Sequence, residues 1–425
     1  GCMATLEISK DNGLYFVIPE ECGTGVKKVA GKVAKDVEGT LSFCPEICET
    51  AVPAKQAVIA VTAGSGKLAE TLCSKISKLG QVEGKRESYA FIVAENPVEG
   101  IESALVIYGS DKLGTIYGLF HLSELLGVTA MVDWGDCQYV KQDSFILKEE
   151  DSFVSKEPSV KYRGFFINDE WPCCGNWATS HFGSFNAKMY DHIFEYLLRM
   201  KGNYLWPAMW AENFMLDGPD LESMKLADEY GIYMIAENNM ETHGSWDTQA
   251  GKEHPDYTNV VPCDKEEWKG MRSGAEYSKV RGPKSPYGDA WSYVTNKEGI
   301  LRFWEDGVKR SIGHNVFPTV GMRGENDSKM LGEDSLISDN VRLLKEIITK
   351  QREMIHEHLE TDGKKVPQLF AVYKEVEDYY FGGGSEEGLR GFEELEDVTL
   401  LLCEDNWGNM RALPEAFERN HKGGF

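Results

Sequence analysis

The sequence predicts an α/β protein with two parts. A small α/β domain over residues 1–155 precedes a (β/α)8 TIM-type barrel over residues 156–425, of which about six βα units are present. Three observations carry this reading. Short apolar runs alternate with stretches of helical periodicity along the whole chain. A polar segment from Asp151 to Val160, with a Lys-Glu-Pro-Ser turn near its end, interrupts the alternation and marks a boundary. Beyond it, strand and helix signals follow one another in regular order, the signature of βα units around a parallel sheet.

In the first domain, Ala57–Val61, Tyr89–Val93 and Leu105–Tyr108 read as strands, and Lys67–Leu79 and Gly114–Leu126 as helices. Gly64-Ser65-Gly66-Lys67 follows a strand and opens a helix, like half of a phosphate loop. Val61 stands where the first glycine of that loop belongs and Leu68 where its hydroxyl belongs, so nucleotide binding is not expected. In the second domain the strands read as Tyr162–Asn168, Asn203–Ala208, Ile232–Ala236, Val316–Gly321, Gln368–Tyr373 and Val398–Cys403. The helices read as Asn186–Lys201, Asp220–Tyr230, Lys297–Ser311, Asp339–Leu359 and about Asn409–Asn420, with apolar residues at i, i+3 and i+4, as in Ile193, Leu197 and Leu198. A closed barrel needs eight strands, and one lacking two has open edges. The sequence is therefore expected to be part of a longer protein; the alternative is an open six-stranded sheet. A long Gly-, Pro- and Asp-rich insertion, about Thr242–Tyr293, is placed to wall the cleft at the carboxyl ends of the strands.

Composition narrows the function. With 42 % hydrophobic residues the chain can bury a large core, which excludes disorder. A formal net charge of −24 without a dense basic run argues against nucleic acid. It also means that an anionic sugar needs a local Arg or Lys to hold it. No apolar run is long enough to cross a membrane. Ten cysteines without a CxxC spacing read as free thiols. With no apolar leader in residues 1–20, they suggest a cytoplasmic protein. His181 and His243 lie near strand ends with nothing to complete a ligand set, so no metal or other cofactor is expected.

Catalytic groups of such barrels sit at the carboxyl ends of strands. Those ends read Asn168-Asp169-Glu170-Trp171, Trp206-Pro207-Ala208-Met209-Trp210, Met322-Arg323-Gly324-Glu325-Asn326-Asp327, Tyr373-Lys374-Glu375-Val376-Glu377-Asp378 and Cys403-Glu404-Asp405-Asn406-Trp407. Carboxylates interleaved with tryptophan fit glycoside hydrolysis. One acid protonates the leaving oxygen and another activates water or attacks, while aromatic rings stack on sugar faces. Arg323 is the best local cation for a uronic carboxylate, because its planar fork matches both oxygens; its alternative role is a structural ion pair at the rim.

Lys161-Tyr-Arg-Gly-Phe-Phe-Ile-Asn-Asp-Glu170, Asn203-Tyr-Leu-Trp-Pro-Ala-Met-Trp210, Val320-Gly-Met-Arg-Gly324, Tyr373-Lys-Glu-Val-Glu-Asp-Tyr-Tyr380 and Glu404-Asp-Asn-Trp-Gly-Asn409 together resemble, in order, the α-glucuronidases of glycoside hydrolase family 115. Ser110-Asp-Lys-Leu-Gly-Thr-Ile-Tyr-Gly118 extends the resemblance into the first domain. The resemblance implies a metal-independent, inverting hydrolase that removes α-1,2-linked (4-O-methyl-)glucuronic acid from xylan. It implies that Asp327 and Glu375 are the leading catalytic carboxylates, with Glu404 a third candidate at a place where the family usually has Asp. Asp169, Trp206, Trp210, Arg323 and Asn406 match positions that line the sugar pocket. Glucuronoxylan or its oligosaccharides are the implied partners, and a homodimer is implied for the full-length protein. The third strand end, Glu237-Asn-Asn-Met-Glu241, departs from the family's His-His-Glu-Pro-like run, which favours a different subsite preference. The family's seventh strand contributes a Tyr-Tyr-His cluster to the pocket, and this chain ends before it, so the chain by itself is expected to be inactive. A related hydrolase acting on another uronic-acid glycan and a non-catalytic carbohydrate binder are the competing readings.

Overall fold

The computed structural model describes residues 3–167, 173–207, 214–215, 219–235, 292–324 and 328–425. The chain forms two compact units. One comprises Gly1–Gly164, Asp191–Tyr204 and Glu229–Ile232; the other comprises Phe165–Tyr190, Leu205–Asp228 and Tyr233–Phe425.

The first unit runs β1 (Thr5–Ser9), β2 (Tyr15–Val17), α1 (Thr24–Leu41), β3 (Glu46–Cys48), β4 (Ala54–Thr62), α2 (Lys67–Lys75), β5 (Tyr89–Glu95), β6 (Ile101–Gly109), α3 (Lys112–Leu125), β7 (Ser144–Lys148) and β8 (Phe153–Val154). Its sheet has the order β3-β2-β4-β6-β5-β8, and β1 pairs with β7 apart from it. The β2, β4 and β6 strands are parallel, whereas β5 runs against β6 and β8. Ala57–Val61 and Ala104–Ile107 are buried without a break, as expected of strands covered on both faces. The α3 helix begins at Asp111, whose carboxylate accepts the Gly114 N–H at 2.8 Å. A Cβ at Gly118 would come within 2.4 Å of Ile107, so glycine is what lets α3 lie down on β6. Arg199 donates two bonds to the fully buried Asp36, at 2.8 and 3.0 Å. Ser123 and Tyr139 donate to the same carboxylate, which completes its partners.

After β8 the chain continues with β9 (Gly164–Phe166), α4 (Cys173–Phe182), α5 (Ala187–Arg199, of which Asp191–Arg199 belongs to the first unit), β10 (Tyr204–Trp206), α6 (Glu222–Tyr230), β11 (Tyr233–Ile235), α7 (Lys297–Arg310), β12 (Val316–Phe317), α8 (Ile337–Leu359), β13 (Leu369–Val372), α9 (Glu375–Phe381) and β14 (Thr399–Leu402). Each of the six expected strands has a counterpart among them. They form one sheet of order β12-β11-β10-β9 and a β13-β14 pair. A parallel bridge, Thr319 with Leu369, links β12's continuation to β13. The strands thus lie in chain order, and among the described residues the sheets do not close into a barrel. The buried stripe of α8 (Val341, Leu344, Ile347, Ile348, Ile355 and Leu359) keeps helical spacing throughout.

Two features differ from expectation. The helix expected at about Asn409–Asn420 is absent; only a short 3-10 turn at Ala416–Glu418 forms. Pro414 lacks an amide donor and disfavours helical geometry at Leu413, which outweighs the apolar periodicity. Conversely, Glu375–Phe381 forms α9, with Glu375, Glu377 and Asp378 in its first turn, where negative charge meets the positive end of the helix dipole. The insertion expected at Thr242–Tyr293 lies almost wholly outside the described residues, as do His243 and Glu237–Glu241.

Candidate active site

The residues that follow β12, β13 and β14 build one connected group. After β12, Val320 donates its N–H to the Leu369 carbonyl at 2.8 Å, and Leu369 donates to Pro318 at 2.9 Å. Next comes Gly321 with φ +117, a conformation that L side chains rarely adopt; a Cβ there would also press to 3.2 Å from the Phe370 ring. Two residues on, Arg323 turns its fork onto Glu375. Its Nε lies 2.8 Å from Oε1, and its Nη2 lies 3.3 Å from Oε2. The two side chains are only 7 % and 8 % exposed, so this is a buried charge pair. Lys374, just before Glu375, has φ +49 and ψ −121. That strained turn is how β13 passes into α9 and aims Glu375 back at Arg323.

The group extends to β14 through Tyr373. The Arg323 guanidinium carbon lies 5.1 Å from the Tyr373 ring centroid, and the Tyr373 hydroxyl donates to Asn406 Oδ1 at 3.1 Å. Past β14, Asp405 organises its own loop. Its Oδ1 accepts the N–H groups of Trp407 and Asn409 at 2.8 and 2.9 Å, and its Oδ2 accepts the Asn409 side-chain amide at 2.8 Å. The Asn409 side chain, then its backbone N–H, hold the Asp405 carboxyl below the usual range, since both bonds favour the charged form. Trp407, 84 % exposed, rides on that turn. A cleft of about 320 Å³ lies between the β13 and β14 ends, lined by Tyr373, Lys374, Glu377, Glu404, Asn406, Trp407 and Arg411 among others.

Of the residues named from sequence, Arg323, Glu375 and Asn406 are brought together, and Glu404 shares the cleft with Asn406. Trp206 ends β10, separated from β12 by β11, with its ring edge-on to Phe166 at 5.7 Å. Asp327, Asp169 and Trp210 lie outside the described residues. Among the described residues there is no group of three His, Cys, Asp or Glu able to hold a metal. His181 Nδ1 sits 2.9 Å from the Trp177 carbonyl of its own helix, a local structural bond. No helix among the described residues is long and apolar enough to cross a membrane. Tyr373 and Lys374 stood in the expected strand end but were given no role there. Both adjoin Glu375 in the motif, and an aromatic–cation pair at a strand end was the available signal.

The model of glycosyl hydrolase family 115 matches residues 155–269 and 260–425. The chain is similar to a solved family GH115 4-O-methyl-α-glucuronidase with specificity for decorated arabinogalactans: 29 % identity and a TM-score of 0.75, covering 98 % of this chain and 48 % of that one. It is also similar to a β-galactosidase of Clostridium acetobutylicum, 26 % identical over 185 residues, which is 42 % of this chain and 18 % of that protein. A β-galactosidase of Lactobacillus delbrueckii subsp. bulgaricus is 44 % identical over 57 residues, which is 13 % of this chain and 5 % of that protein. The chain thus spans about half of the solved enzyme and under a fifth of either β-galactosidase.

Proposed function

We propose that this chain, which belongs to glycosyl hydrolase family 115, is the catalytic part of an inverting α-glucuronidase that releases α-1,2-linked (4-O-methyl-)glucuronic acid side chains from xylan. In this reading residues 1–155 form an accessory α/β domain, and residues 156–425 belong to a (β/α)8 barrel. The observation that carries it is the buried Arg323–Glu375 fork at the ends of neighbouring strands, inside the span that the family model matches. Beside that pair, a cleft lined by Lys374 and Arg411 suits a uronic acid, because the substrate's own carboxylate needs a cation in a chain of net charge −24.

Glu375 and Asp327 divide the acid and base roles. The acid protonates the glycosidic oxygen, and the base takes a proton from the water that attacks the opposite face. Such pairs stand roughly 6.5–9.5 Å apart to leave room for that water. Arg323 fixes the plane of the Glu375 carboxylate, and Lys374 and Arg411 on the cleft wall bring positive charge to the arriving uronate. Asn406 hydrogen-bonds sugar hydroxyls together with Asp169, while Trp206 and Trp210 stack on ring faces. Glu404, exposed on the cleft wall, orients substrate there.

The solved relative's specificity for decorated arabinogalactans favours a second reading, in which the same chemistry acts on uronic acid carried by a different main chain. One experiment separates the two. The full-length gene product is incubated with glucuronoxylan and, in parallel, with a uronic-acid-decorated arabinogalactan, and each is followed by proton NMR. Early β-glucuronic acid from xylan supports the first reading, and release from arabinogalactan alone supports the second. Early α-anomer overturns inversion, and no release from either by a folded protein overturns both.

A further inference from the structure

The buried stripe of α8 contains one long polar side chain, Gln351, which is fully buried. Both of its amide atoms bond the backbone of Gly321, in the stretch that follows β12. The Gly321 N–H donates to Gln351 Oε1 at 2.7 Å, and Gln351 Nε2 donates to the Gly321 carbonyl at 2.8 Å. Gly321 lies where the chain leaves its bridge with Leu369, so one side chain supplies the backbone partners at the point where the strand ends. It is also the residue with φ +117, a conformation that needs support from its surroundings. Arg323 follows two residues later, and its fork sets the plane of Glu375.

We infer that Gln351 is a positioning residue of the active site. Its amide clamps the Gly321 peptide groups and thereby fixes where Arg323 presents its fork to Glu375. The assignment rests on the proposed role of Glu375. A primary amide on a side chain of this length accepts from the N–H and donates to the C=O of the same residue; an ionised glutamate lacks the donor, and methionine offers no donor and only a weak acceptor.

The test compares Gln351→Met with Leu344→Ala, a substitution in the same stripe that removes packing but no polar clamp. Thermal melting establishes that both variants fold and matches their loss of stability. In Gln351→Met, kcat is expected to fall roughly 100-fold, the order that a displacement near 1 Å costs, with KM changed far less. Leu344→Ala is expected to keep kcat within about threefold, because it leaves the reacting groups in place. Equal kinetic loss in the two variants, or unchanged kcat in Gln351→Met, overturns the inference. Hydrogen exchange read by NMR gives a measurement independent of activity. The Gly321 amide and the Arg323 Nε–H are expected to be protected in the wild type, and the Nε–H is expected to exchange at least about tenfold faster in Gln351→Met. An unprotected Gly321 amide in the wild type overturns the clamp even if the variant fails to fold. A folded full-length wild type that releases no uronic acid sinks the functional reading, and the exchange data still decide the clamp.

Discussion

Arg323→Met removes the cation from a pair whose side chains are 7 % and 8 % exposed, and leaves Glu375 buried without its fork. Stranding one member of a buried pair costs about 3–5 kcal/mol, most of it the desolvation of the abandoned charge. The double variant Arg323→Met/Glu375→Gln removes that charge as well, and a buried pair replaced by well-packed uncharged groups of similar volume often leaves stability unchanged or raised. The single variant is therefore expected to be the less stable of the two, and the second substitution to restore most of what the first loses. The assay is urea unfolding of wild type, both single variants and the double variant, fitted with one transition per unit, since a chain with two units need not unfold in a single step. The coupling energy from the cycle isolates the pair. A loss below about 1 kcal/mol in Arg323→Met, or a double variant as unstable as the single one, refutes the claim that this pair is buried and mutually dependent.

Three further outcomes are expected. In the full-length protein Glu375→Gln keeps the side chain's shape, although it strands Arg323 and is expected to lower stability as well; it cannot accept or deliver the catalytic proton, so uronic acid release by the folded fraction is expected to drop by about 10²–10⁴-fold, measured by product NMR under saturating substrate. Gly321→Ala is expected to destabilise the second unit by roughly 1–3 kcal/mol in urea unfolding, because alanine must hold φ +117 with its Cβ 3.2 Å from Phe370. Asp405 titrates below its unfolded value of about 3.9, so its hold on the loop is fully present above that pH and is lost as pH falls through the lowered folded value. Trp407 fluorescence, read as a difference from Asp405→Asn, is expected to change in that acid window and to stay flat between pH 5 and pH 8.

How much of this was legible in the sequence depends on the range of the forces involved. Strands β12 and β13 are buried on both faces and read as plain apolar runs, β9 was visible although it is mostly exposed, and the intervening helices α5 to α8 were visible because their buried stripes keep a 3.6-residue period. The predicted helix after β14 failed at Pro414, a local veto that periodicity does not weigh. The site was legible only as a set of strand ends. Arg323 and Glu375 could each be named, but their union, 52 residues apart in sequence, depends on the strained turn at Lys374, which no residue type announces. Gln351 is the opposite case. It falls in register with Leu344, Ile348 and Ile355, so helical spacing alone places an amide in the core. A buried amide needs two partners. A glycine at a strand end, with its backbone groups turned away from the neighbouring strand, is a suitable one, and Gly321 stands two residues before the arginine already suspected. A polar residue that breaks an apolar stripe was thus a signal available in the sequence, and a search confined to strand ends passed over it.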